Sequence, residues 1–144
     1  MTGRRLQRHC SRSALRAVQP KFRYPDYAYR TLVWDIYVER IARPTTGAAT
    51  DEAKVAAALP KAEICLSAIS TLMDEAPWLV GPSISLADLH AAPMFAAFRL
   101  APEGERLLAR HERLVRWWEQ MSARPSFVRT RVPPRHASLP VGAV

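Results

Sequence analysis

The stretch Gly81-Pro82-Ser83-Ile84-Ser85-Leu86-Ala87-Asp88-Leu89-His90, running on through Ala91-Ala92-Pro93-Met94-Phe95 to Leu100, decides the fold. Ser85-Leu86-Ala87-Asp88 has the form of a capping box. In such a box the Ser hydroxyl accepts from the Asp backbone N–H and the carboxylate reaches back to the Ser N–H. Ile84 before the cap and Leu89 at the fourth helical position have the spacing of a hydrophobic staple. Gly81-Pro82 signals a turn, so a helix is predicted to start at Leu86. Leu86, Leu89, Met94, Phe95, Phe98 and Leu100, with alanines between them, leave almost no polar face. A helix apolar all round is a buried one, and this one is too short to span a bilayer. Pro93 removes one backbone bond and predicts a kink. Together these features describe the central helix of an all-α helical bundle.

Working outward, a first long helix is predicted from Asp26, a plausible N-cap, to Arg43, with Pro44 just beyond its stop. Leu32, Val33, Ile36 and Ile41 suit a core-facing side, while Tyr27, Tyr29, Trp34 and Tyr37 form an aromatic set around another. Those aromatics either join the core or make a second face directed at something else. Pro44 to Ala49 reads as a loop. Thr50 is expected to cap the next helix, with Asp51 and Glu52 favourable in its first turn. Val55, Leu59, Ala62, Leu66, Ile69 and Met73 then recur with helical period, and Pro60 should bend the helix. Cys65, beside that stripe, reads as a small buried hydrophobe. Glu75-Ala76-Pro77 closes the element. Pro102 opens a short helix to about Arg110. Leu114, Val115, Trp117, Trp118 and Met121 mark an amphipathic one, which Pro125 stops before a further turn through Phe127 and Val128.

The chain has 144 residues, which suits one domain with a modest core. No window approaches an uninterrupted apolar membrane span, so no membrane partner is expected. Cys10 and Cys65 give neither a metal spacing nor a disulfide framework, and the default setting is reducing and cytoplasmic. The formal net charge of +8 is concentrated at the ends. Residues 1–30 carry eight Lys/Arg against Asp26 alone, residues 124–144 carry four Arg and no acid, and the body between has more acids than bases. Nucleic acid is therefore not an expected partner, since that would want a basic face on the folded element. Residues 1–24 read as a disordered basic segment, with a mitochondrial transit peptide as the alternative. Residues 131–144, rich in proline and without acids, read as a disordered tail.

Trp78-Leu79-Val80-Gly81 followed by Ile84-Ser85-Leu86-Ala87-Asp88 resembles the start of the core helix in the C-terminal domain of glutathione S-transferases. Trp117-Trp118-Glu119-Gln120-Met121 with Ala123-Arg124-Pro125-Ser126-Phe127 resembles that domain's closing helix and exit. The resemblance spans roughly residues 24 to 130, in the family's order. It implies a transferase C-terminal-like helical domain over residues 25–130. It also implies that the first helix lines an electrophile groove, with Tyr27, Arg30 and Trp34 as substrate-binding candidates, and contributes to a homodimer.

Chemistry of the chain's own is sparse. His90 stands near Asp88, but that carboxylate is engaged in the cap, and a lone His on such a helix is expected to be structural. There is no phosphate loop, nucleophile elbow or metal spacing, so no catalytic residue, metal or cofactor is assigned. The resemblance implies that glutathione, the co-substrate, is held by a thioredoxin-like domain whose motifs do not occur before Tyr24. The expected protein is thus the helical half of a glutathione transferase, inactive alone and completed by a thioredoxin-like domain in cis or in trans. The alternative is a free-standing helical module for protein association.

Overall fold

A computed structural model of the chain describes residues 27–73 and 75–130. The proposed Asp26 cap, Cys10, the whole N-terminal segment of residues 1–24 and the tail from residue 131 lie outside the described residues. Seven helical elements follow in order: α1 (Tyr29–Ala42), α2 (Arg43–Thr45), α3 (Glu52–Met73), α4 (Leu86–Phe98), α5 (Pro102–Leu108), α6 (Glu112–Ser122) and α7 (Pro125–Thr130). The fold is all-α. The only extended pairing among the described residues is the single bridge between Trp78 and Gly81.

The core is built where α1, α3, α4 and α6 meet. From α1 it takes Leu32 and Ile36, from α3 Val55, Ala58, Ala62, Cys65, Leu66 and Met73, from α4 Phe95 and Phe98, and from α6 Leu114, Trp117 and Met121. Leu59 and Ile69 pack against this cluster half-buried, so the stripe read from α3 is its inward face. Phe95 and Trp117 meet edge-to-face with centroids 5.0 Å apart, and Trp118 meets Phe127 in the same way at 5.6 Å. This geometry suits the aromatic quadrupoles and ties α7 onto α6.

α1 is π-helical in its hydrogen bonding, and the Arg43 N–H donates to the Val38 carbonyl five residues back. Even so, the buried positions Ala28, Thr31, Leu32, Ile36 and Glu39 keep the three-and-four spacing of an ordinary helix. The helical path does not stop before Pro44, as the sequence suggested. It continues one turn to Thr45, because Pro44 occupies the start of α2, where a missing N–H leaves no bond unmade.

Two further expectations need correction. Thr50 is not the cap of α3, because its hydroxyl donates to the Glu39 carbonyl at 2.9 Å. The capping carboxylate is Asp51, which accepts from the Lys54 N–H at 3.0 Å. Nor is α4 buried all round. Leu86 is 81% exposed, Leu89 50%, and His90 and Pro93 are also exposed, while Asp88, Ala91, Ala92, Met94, Phe95 and Phe98 face inward. A uniformly apolar helix carries no period to show which side meets the core. Ile84 before the cap packs on the core, and Leu89 stands half in solvent.

One contact was not legible in the sequence. A Cβ built on Gly104 would lie 2.0 Å from the Phe98 carbonyl oxygen, so α5 can approach the end of α4 only with glycine there.

Candidate functional site

Asp88 is the polar centre of the bundle. Its side chain is fully buried, and four donors converge on it. The Leu79 N–H donates to Oδ1 at 2.9 Å and the Trp117 indole Nε1–H to the same oxygen at 2.8 Å. The Ser85 N–H and hydroxyl donate to Oδ2 at 2.8 and 2.7 Å. Ser85 and Asp88 form the reciprocal capping box at the start of α4. Burial pushes the carboxyl upward, but the donors from Leu79, Ser85 and Trp117 outweigh it and hold Asp88 below the usual carboxylate range. An anion so enclosed organises structure: it joins the turn after α3, the cap of α4 and the middle of α6. Its lone pairs are spent, so it is not poised as a base.

A second buried carboxylate lies on α1. Glu39 is 1% exposed, and its Oε1 accepts from Lys54 Nζ at 2.8 Å while Oε2 accepts from the Asp51 N–H at 3.2 Å. The Lys54 hydrogen bond does most to lower its pKa, against the effect of burial. Around it Arg40 pairs with Glu52 and Glu103, and Lys54 also approaches Asp35 at 3.6 Å. This network fastens α1 to the start of α3 and to α5. The sequence held a signal for it, because Glu39 falls on the same stripe as Leu32 and Ile36. An acid there needs a partner.

The substrate-binding candidates Tyr27, Arg30 and Trp34 fall at spacings of three and four, opposite the buried stripe of α1. All three are exposed, Tyr27 to 47% and Trp34 to 52%. They are therefore not core. Tyr29 is exposed on a different side of the helix, and Tyr37 is half-buried. Arg30 forms no ion pair with another described residue. Among the described residues no group of three His, Cys, Asp or Glu is arranged to hold a metal ion. Cys65 is buried, and burial pushes its thiol up, away from reactivity. The candidate site is thus an open aromatic face with one cation, carried on a helix that the buried carboxylates hold in place.

Fold and site together define an all-helical domain pinned by a capped central helix, with an uncovered aromatic face on its first helix. The sequence pattern of the domain described as "Glutathione S-transferase, C-terminal domain" matches residues 24–125. The chain belongs to the glutathione S-transferase family, through that C-terminal domain. It is 34% identical over 100 residues to glutathione S-transferase F14 of Arabidopsis thaliana, a match covering 68% of this chain and 39% of the relative. Among solved structures, a glutathione S-transferase from Rhodospirillum rubrum F11 superposes with a TM-score of 0.66 at 26% identity, over 86% of this chain and 59% of that one. Glutathione transferase F7 from Populus trichocarpa, at 23% identity, shares the fold with a TM-score of 0.69 over 89% and 60% of the two chains. The chain spans less than two thirds of the length of each of these relatives.

Proposed function

We propose that this chain is the helical half of a glutathione-conjugating transferase, in which the exposed face of α1 lines the electrophile groove. Tyr27 and Trp34 offer flat apolar surface to an electrophile, and Arg30 offers a fixed positive charge to an anionic group on either substrate. Glutathione is the co-substrate, brought by a thioredoxin-like domain, and the chain by itself is inactive. The observation that carries this reading is the exposure of Tyr27 and Trp34 on a helix whose opposite side is fully packed. Large aromatic side chains left in solvent on one face mark a surface that something covers.

The test is an assay of glutathione addition to an aromatic chloride, with this chain alone and with a thioredoxin-like domain added in trans. The expected outcome is no acceleration by the chain alone and saturable turnover with the added domain. Turnover by the chain alone that survives repurification would place the catalytic groups within it.

A second reading, a free-standing module for protein association, is favoured by a different observation. Leu86 at 81% and Leu89 at 50% exposure put an apolar surface at the start of α4, which a partner other than a thioredoxin-like domain could cover. A pulldown in which substitutions at Leu86 and Leu89, but not at Trp34, abolish capture of a defined partner would select it.

A further inference from the structure

We draw no further inference here: the strongest candidate, the cleft of about 160 Å³ between the C-terminal end of α3 and α6, carries nothing, because Arg113 and Arg116 on its wall are already paired with Glu75 and Glu112 and no unpartnered buried group among the described residues lines it.

Discussion

The Trp117 indole N–H donates to Asp88 Oδ1 at 2.8 Å, and this bond joins α6 to the cap of α4 across 29 residues of sequence. Phe95, about two turns beyond Asp88 along α4, packs edge-to-face on the same indole. One tryptophan therefore carries both the polar and the apolar link between the two helices. Removing the carboxylate strands four donors, and each buried donor left unmade costs about 1–3 kcal/mol. Asp88→Ala is expected to destabilise the bundle by about 3 kcal/mol or more. Trp117→Phe, which keeps an aromatic ring, should cost about 1–3 kcal/mol through the lost bond and lost volume. Ser85→Ala, a cap deletion, should cost about 1 kcal/mol. Urea midpoints measure the order, and a Ser85→Ala loss as large as that of Asp88→Ala would show that the cap alone explains the node.

The same carboxylate predicts a pH dependence. Asp88 and Glu39 both have pKa values lowered in the folded state. The unfolded chain then binds more protons than the folded one as acid is added, so stability is full above the ordinary carboxylate range and lost as pH falls through the folded values. The expected window opens at about pH 5, where the unfolded carboxylates begin to take up protons, and runs down through the folded values. Melts between pH 6 and pH 2.5 should show a falling midpoint in that window, with a shallower fall in Asp88→Asn. An identical slope in that variant would remove Asp88 from the account.

Lys54→Met leaves Glu39 buried with its nearest cation gone, since Arg43 stands off at 3.4 Å. An uncompensated buried charge is costly, and about 2–3 kcal/mol is expected, less than for a dry interior because Lys54 itself is partly exposed. Glu39→Gln combined with Lys54→Met should recover part of that loss. A double-mutant cycle in denaturant gives the coupling, and additive losses would mean that the pair contributes nothing beyond its parts.

At Gly104 the added methyl of alanine meets backbone, the Phe98 carbonyl oxygen, rather than a side chain that could turn away. Overpacking of this kind costs about 1–3 kcal/mol and more where neither partner yields. Gly104→Ala should lower the thermal midpoint even though alanine is the better helix former. A raised midpoint would show that α5 moves freely from α4.

The sequence made the helices legible wherever polarity alternates with a helical period. The α3 stripe from Val55 to Met73 and the amphipathic α6 stand as read. Where composition is uniform the reading lost direction, as in α4, whose apolar residues gave no sign that Leu86 and Leu89 face outward. The α3 cap was misplaced by one residue because Thr50 and Asp51 are both good cap residues. Only the third dimension shows that Thr50 is already held by Glu39. The Trp117 bond and the Gly104 approach are tertiary facts that no local spacing encodes. At the candidate face, the sequence set out two options for the α1 aromatics, and the exposure of Tyr27 and Trp34 removes the core option for those two.

That exposure leads to the test of the groove itself. If the α1 face is one that another domain covers, then Trp34→Glu should change association without changing the fold, because a 52% exposed side chain carries little of the core. The unaltered chain is expected to self-associate or to bind a thioredoxin-like domain added in trans, and Trp34→Glu to weaken that binding about tenfold or more. Placing a carboxylate in a desolvated aromatic contact costs at least about 1–2 kcal/mol. Arg30→Gln should act differently, with little effect on neutral aromatic ligands and a clear loss for ligands bearing a carboxylate. Light scattering reports the association and circular dichroism the fold. If Trp34→Glu abolishes the helical signal, the residue supports the core despite its exposure. If the unaltered chain stays monomeric and ignores the added domain, the aromatic face is not the surface that completes a transferase.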